Sequence, residues 1–312
     1  MPLWKVVFKP LSPFTSKIES YTLFGAFCWG YKLLFGEERL LELLEKFKKE
    51  PPFLLSSPLP HFEDHTLFPI PQIEEGFLDE SELPYPEKKK YKKVKYIPEN
   101  ILLEYLEGKF QTQSEIFLKL KELEKNKEKS PFGKLSEKSF VVNTNILQAS
   151  INRLTWTTVG GNLINTPAYW YSSFVVYVLQ RDSQFDVEIL RKIYELVPLG
   201  GNKSIGWGYV KVVKFEEDET LKAYLHPNPS GIFYTLSPSF IDPSFEIEES
   251  FYQLFVYTGK VENFYERLTH SLLKRRFIYL SSGSQIKLRE YAGEKKTCYG
   301  GLIPALEGPS FI

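Results

Sequence analysis

The chain is poor in cysteine, with Cys28 and Cys298 as its 2 thiols among 312 residues. Two thiols cannot build a disulfide framework or a four-thiolate zinc site, so both read as buried groups in a reducing cytoplasm. Net charge is missing too, because 39 Lys+Arg balance 39 Asp+Glu. That excludes a histone-like or tail-driven nucleic-acid binder, and any contact with phosphate must come from a local patch. No long hydrophobic run occurs: the longest uncharged apolar stretch, Tyr21 to Tyr31, is too short for a bilayer core of about 30 Å, so no membrane partner is expected. Met1-Pro2-Leu3-Trp4-Lys5 lacks the basic start and apolar centre of a secretory signal, which points to a cytoplasmic protein. Histidines number 4, and no nucleophile elbow, Ser-His-Asp context or paired-acid motif assembles them. Aromatics, by contrast, reach 16%, a level that suits thick cores and base-stacking surfaces equally.

The opening reads as β–α–β. Trp4, Val6 and Phe8 alternate with Lys5, Val7 and Lys9 as in a strand, and a turn-rich segment from Pro10 to Lys17 follows. Ser20 suits an N-cap for a helix carrying Leu23, Phe24, Phe27, Tyr31, Leu34 and Phe35 at helical spacing. Gly36 ends that helix, Pro51-Pro52 stop a second one with Leu40, Leu41, Leu44 and Phe47 on its face, and Phe53 to Ser57 reads as a strand. From about 60 to 139 prolines, clustered lysines and a Lys/Glu-rich helical stretch (Phe117 to Lys129) mark an insertion. A long hairpin is expected over about 143–171, turning at Gly160-Gly161. Ser173 to Leu179 is an apolar strand; Asp186 suits a cap for a helix with Ile189, Leu190, Ile193 and Leu196 inward, and a glycine-rich loop then feeds a strand from Tyr209 to Phe215. With the inserted parts removed, this order matches the split βαβ, ferredoxin-like arrangement. The rest reads mostly as strands, among them Leu221 to Leu225, Phe251 to Tyr257, Phe277 to Leu280 and Cys298 to Ile303, with a helix around Glu262 to Lys274.

The loop Gly200-Gly201-Asn202-Lys203-Ser204-Ile205-Gly206-Trp207-Gly208 carries the most chemistry. Glycines at 200, 201, 206 and 208 let backbone N–H groups approach an anion, with the Lys203 charge and the Ser204 hydroxyl beside them. It is neither a nucleotide P-loop nor a dinucleotide fingerprint, since it lacks the Gly-Lys-Ser/Thr step and the third spaced glycine. The plainer reading is an αβ connection whose glycines solve backbone geometry. Arg153, Thr155 and Trp156 would arm an exposed hairpin that clamps a single strand, or simply make cross-strand pairs. The run Lys88-Lys89-Lys90-Tyr91-Lys92-Lys93-Val94-Lys95-Tyr96 suits either a phosphate track or a solvated loop. Lys274, Arg275 and Arg276 precede a strand that ends in a turn with Gly283 and Ser284, a further phosphate contact or an ordinary edge. His61 and His65 have the spacing of zinc ligands on a helix, but prolines at 60 and 69 oppose a helix, and both read as surface histidines.

Five stretches in chain order carry a family resemblance: FKPLSPFTSKIESYTLFGAFCW, PPFLLSSPLP, INRLTWTT with GGNLINTPAYWY, GGNKSIGWGYV, and KRRFIYLSSGS. On these the chain resembles the RAMP superfamily of CRISPR proteins, and within it the fourth subunit of the Csm-type (type III-A) interference complex. The resemblance implies an α+β fold of two ferredoxin-like (RRM-like) domains, 1–217 with the insertion and the protruding β-hairpin, and a degenerate 218–312. It implies no catalysis, no cofactor and no metal, and binding of the 5′ repeat-derived tag of the crRNA. The implied partners are the large polymerase-like signalling subunit and the backbone RAMP subunit. Carried onto this sequence, Gly200, Gly201, Asn202, Lys203, Ser204, Gly206 and Gly208 would hold the tag backbone, Arg153, Thr155 and Trp156 would separate or stack its bases, and Ser16, Lys17 and Ser20 would donate at the start of the first helix. Lys274, Gly283 and Ser284 would add contacts. The competing expectation is a RAMP endoribonuclease cutting repeat RNA with a tyrosine or with His61, His65, His226 or His270.

Overall fold

The alternation at the N-terminus builds β1 (Leu3–Pro10), a strand with both edges paired and Leu3, Val6, Val7 and Phe8 buried. The computed structural model describes residues 1–62, 64–76, 84–125, 140–225, 232–241, 245–259 and 276–288. They fall into two compact units: Met1–Leu67 with Leu123–Ala223, and Phe68–Glu122 with the described residues from Tyr224 to Leu288. Residues 68–122, expected as part of an insertion in the first domain, thus belong to the second unit. The sequence expectations for Glu262 to Lys274, Cys298 to Ile303, Cys298 itself, His226 and His270 lie outside the described residues.

In the first unit, β1 is followed by α1 (Ser20–Phe35), α2 (Glu37–Lys49), β2 (Phe53–Leu55), β3 (Leu59–Phe62) and β4 (His65–Pro69). After β6 (Val141–Ile151) and β7 (Thr158–Tyr171) come β8 (Phe174–Gln180), α6 (Glu188–Leu196), β9 (Val210–Glu217) and a short α7 (Glu219–Lys222). The sheet order is β4-β3-β8-β1-β9, with β2 also on β8, and its described pairings are antiparallel. The first strand therefore lies between the two that flank α6, and α1 and α2 carry the chain across to the far side of β8.

The helices bury fewer of the periodic residues than their spacing predicts. Leu23, Ala26, Phe27 and Gly30 are buried on α1, but Leu34 and Phe35 are exposed. Likewise Leu41 on α2 and Leu196 on α6 face outward, while Leu44, Phe47, Leu190 and Ile193 face the core. The reason is a close crossing of α1 and α6 at Gly30, where a Cβ would lie 2.4 Å from Ile193 Cγ2. Below it Phe27, Phe47 and Phe53 meet edge to face at about 5 Å, with Phe8 against Tyr194 at 5.5 Å.

Capping also departs from the sequence reading. Glu19, not Ser20, is the N-cap of α1, and Ser20 is its first helical residue. Asp186 Oδ1 does accept the Glu188 N–H at 3.0 Å at the start of α6. Residues 221–225, expected as a strand, begin in α7, because Asp218 Oδ1 accepts the Leu221 N–H at 2.9 Å and nucleates a helical turn.

The hairpin β6–β7 pairs Val141 with Tyr171 through to Ile151 with Thr158. Its turn lies at Asn152–Thr157, and Gly160-Gly161 fall inside β7. Asn152 Oδ1 accepts the Leu154 N–H at 2.9 Å, Trp156 N–H donates to Asn152 O at 2.8 Å, and Trp156 adopts φ +53°. An Asx turn thus makes the reversal that a Gly-Gly pair was expected to make.

The second unit contains α3 (Tyr85–Tyr91), β5 (Tyr96–Pro98), α4 (Glu99–Leu106) and α5 (Gln113–Lys125), the last running on into the first unit. It also holds a three-stranded sheet of β10 (Ile232–Tyr234), β14 (Gln285–Leu288) and β11 (Phe245–Phe251), and a pair of β12 (Leu254–Tyr257) and β13 (Phe277–Leu280). Phe245, Leu280, Ile286 and Leu288 form its buried cluster. Tyr105 on α4 donates to Gln285 Oε1 at 2.7 Å, tying the helix to the sheet.

The Gly30 crossing yields a test. Gly30→Val should cost about 1–3 kcal/mol by overpacking, read as a lower midpoint in urea unfolding. Ile193→Ala in the Gly30→Val background should recover part of that loss, although Ile193→Ala alone destabilises.

Candidate nucleic-acid interface

The glycine-rich loop joins α6 to β9, and its neck is closed by backbone alone. Leu199 N–H donates to Gly208 O at 2.8 Å, and a Cβ on Gly208 (φ +84°) would lie 2.1 Å from Leu199 O. Only glycine fits there. Within the neck, Lys203–Ile205 form one 3₁₀ turn between Asn202 (φ +58°) and Gly206 (φ +87°). The turn takes the N–H groups of Ile205, Gly206 and Trp207 onto the carbonyls of Asn202 and Lys203. Trp207 is buried; Ser204, Ile205 and Gly206 are exposed, and Asn202 and Lys203 are half-buried.

One side of the loop is lined by the turn segment after β1. Gly208 N–H donates to Pro13 O at 2.9 Å, and Leu11 N–H to Tyr209 O at 2.9 Å. Tyr209 N–H donates to Ser12 Oγ at 2.8 Å, and Gly201 N–H to Thr15 Oγ1 at 3.2 Å. The same segment holds the base of the hairpin: Phe14 and Tyr169 exchange both backbone bonds at 2.9 and 2.8 Å, and Ile18 N–H donates to Tyr171 Oη at 2.9 Å. Three stretches far apart in sequence therefore share one crease. Ser16 and Lys17, both exposed, follow Thr15 at this junction, where Thr15 meets Gly201 of the loop that runs through Gly200, Asn202, Lys203, Ser204, Gly206 and Gly208.

The expected role of the glycine amides changes in this setting. The N–H groups of Gly201, Gly206 and Gly208 are bonded internally, so these glycines set the loop's shape instead of offering donors outward. The chemistry left facing solvent is the Ser204 hydroxyl, with the Asn202 amide and the Lys203 ammonium at the loop's half-buried margin. That set suits an anion approached by side chains.

Arg153, Thr155 and Trp156 are exposed at the hairpin tip, away from the crease. The run Asn143–Ile151 sets the tip about 25 Å beyond the hairpin base at ordinary strand rise. Thr155 and Thr157 hydroxyls bond to each other at 2.8 Å, Leu154 is 92% exposed and Trp156 81%. Gly283 and Ser284 lie in the second unit. Ser284 is fully buried with its hydroxyl donating to Ser281 O at 2.6 Å, and a Cβ on Gly283 would lie 2.7 Å from Ile70 O. These residues hold a turn together, which corrects the expectation of an RNA contact. Lys274 lies outside the described residues. His65 is exposed, but His61 is buried in the β3–β4 hairpin with Nδ1 3.3 Å from Thr66 Oγ1; burial and then Lys5 push its pKa down.

Sequence reasoning missed Ser12, Thr15, Tyr169, Tyr171 and Glu19. The signal for Ser12 and Thr15 was their place in a proline-rich turn, where hydroxyls commonly accept backbone N–H groups. Glu19 is held at the start of α1 by a relay: Ser20 N–H donates to Ser57 Oγ at 3.1 Å, and Ser57 O–H donates to Glu19 Oε2 at 2.6 Å. Burial pushes the Glu19 carboxyl up, opposed by the Ser57 hydrogen bond and the nearby Lys17 charge.

No protein-family model matches the chain, and no curated protein does. Solved structures do. A chain in the crystal structure of the Csm3–Csm4 subcomplex of the type III-A CRISPR–Cas interference complex is 20% identical, with a TM-score of 0.60 over 96% of this chain and 95% of that one. A chain in the Csm1–Csm4 cassette with one ATP is 16% identical, with a TM-score of 0.54 over 100% and 94%. Another, in the cassette with pppApA, gives 16% and 0.51 over 92% and 87%. The likeness is one of fold: mixed helices and antiparallel sheets along nearly the whole chain.

Two outcomes test the site's construction. Gly206→Ala meets open space and should cost only about 1–2 kcal/mol for its left-handed backbone, whereas Gly208→Ala, aimed at a carbonyl, should cost more in thermal unfolding. The raised Glu19 pKa stabilises the fold fully below the unfolded carboxyl pKa, and that contribution is lost as pH rises through the folded value. Glu19→Gln should therefore gain stability over the native protein at neutral pH, with the gap closing on acidification in paired melts.

Proposed function

We propose that the chain is a non-catalytic RAMP subunit of a type III-A CRISPR effector, of the Csm4 kind, holding the 5′ repeat-derived tag of the crRNA in the crease. One observation carries the reading: the glycine-shaped loop, the Leu11–Ile18 segment and the hairpin base are locked together beside exposed polar groups, in a fold like that of chains in Csm3–Csm4 and Csm1–Csm4 structures. The first unit's order, β9-β1-β8-β2 with helices between, fits a ferredoxin-like domain. The second is read as its degenerate counterpart. Single-stranded RNA recognition combines backbone contacts with stacking on splayed bases, and the two parts of the site divide these tasks. Asn202, Lys203, Ser204, Ser16 and Lys17 take the sugar-phosphate chain, with the glycines allowing close approach. Arg153, Thr155 and Trp156 meet bases from the hairpin tip.

The names of those structures pair Csm4 with Csm3 and with Csm1, which supports a backbone subunit and a large signalling subunit as partners of this chain in the cytoplasm. Among the described residues no helix is long and apolar enough to cross a membrane.

Lys203→Ala combined with Arg153→Ala should weaken binding of tag RNA by on the order of 1–3 kcal/mol in a filter-binding titration. Because the two residues are far apart, their single effects should add. Unchanged affinity counts against the assignment. Repeat RNA incubated with the chain without metal should stay intact; specific cutting that one histidine or tyrosine substitution abolishes would favour the endoribonuclease reading.

A further inference from the structure

The lysine-rich stretch of the second unit has no part in the crease, yet it is built on a firm footing. Helix α3 ends at Tyr91, which is buried and stacks on Phe117 with ring centroids 6.1 Å apart. The chain then turns, with Lys93 N–H on Lys90 O at 3.1 Å and Val94 N–H on Tyr91 O at 2.9 Å. Ile97 is fully buried, and Ile70 N–H fastens Lys95 O at 2.9 Å. Tyr91 and Ile97 thus point inward, and Val94 and Tyr96 are half-buried. What remains outside are Lys89, Lys90, Lys92, Lys93 and Lys95, all exposed. Lys92 is bridged to Glu75, and the Lys90 ammonium lies 5.3 Å from the Tyr91 ring centroid. From Lys88 to Pro98 the sequence contains no acidic residue.

We propose that this surface is a second RNA contact, one that reads the phosphate backbone of a single strand without regard to sequence. A protein partner fits less well. Protein interfaces are depleted in lysine at their centre and need apolar or aromatic groups to desolvate, and here Tyr91 and Ile97 are already used inside. Clustered ammonium groups on an ordered turn meet the requirement of a polyanion, whose displaced counterions supply the affinity.

The test uses the full chain and two probes: a short repeat-derived tag RNA and a long oligouridine. Lys89, Lys90 and Lys93 are changed together to Ala, and separately to Arg. For the long probe, the Ala variant should bind on the order of tenfold more weakly at low salt, and the slope of log K against log[salt] should flatten by about 2. The Arg variant should bind as the native protein does. Tag binding should be unaffected by either change, whereas failure of the crease reading would appear as unaltered tag binding by Lys203→Ala. An Ala variant with native affinity and native salt slope for the long RNA overturns the proposal. So does loss of an acidic protein partner from the assembled complex with RNA binding intact.

Discussion

The neck of the glycine-rich loop is the constraint on which the site depends. Position 208 has no room for a side chain, because the carbonyl of Leu199 occupies it, and the same two residues are bonded to each other. Gly208 also donates to Pro13, so closing the neck fixes the segment after β1. That segment in turn carries the backbone exchange between Phe14 and Tyr169 that seats the hairpin. A loop, a turn and an arm are thus made interdependent by main-chain groups. The Ser204 side chain stays exposed at the rim and takes no part in that closure, so the shape of the junction rests on main-chain groups.

The hairpin shows how little of this site rests on net charge. Between Val141 and Tyr171 the sequence has no acidic residue and only one cation, Arg153. Its two strands pair only with each other beyond the base, so Leu147, Leu163, Ile151 and Ile164 stay exposed on its faces. An isolated two-stranded ribbon is marginal in water. Seating at Phe14 and the packing of Tyr171 against Phe14 and Phe140 are what make it an arm instead of a frayed loop. Amide, hydroxyl and aromatic groups, with the single charge of Arg153, are what this arm presents to solvent.

How much was legible follows from which interactions are local. The β–α–β opening was readable because alternation in β1 and helical spacing in α1 both register within a few residues. Leu34, Phe35, Leu41 and Leu196 were misplaced because helical spacing says which residues share a face, while the width of the buried stripe is set by a crossing at Gly30 with α6, far along the chain. The Gly160-Gly161 turn was the natural reading of a glycine pair between strand-like runs. The real turn is made by the Asn152 side chain and a positive-φ tryptophan, a conformation that residue type argues against. Gly283 and Ser284 resembled an exposed phosphate contact because a Gly-Ser turn is usually at the surface. Their burial comes from Ile70 and Thr235, residues that no local pattern links to them.

The same contrast explains why the unusual backbone of the glycine-rich loop was legible in the sequence while the use of its amides was not. Clustered glycines announce unusual backbone, and the left-handed Gly200, Gly206 and Gly208 bear that out. Whether their N–H groups face an anion or another part of the chain depends on what lies within 3 Å, and here Thr15, Lys203 O and Pro13 O arrive first. An amide satisfied inside the protein gains little by turning to a phosphate, because the exchange breaks one hydrogen bond to make another. The exposed Ser204 hydroxyl would give up water instead. In this loop the glycines therefore set the path of the backbone, and the amides of Gly201, Gly206 and Gly208 serve to hold that path and the neighbouring segment in place.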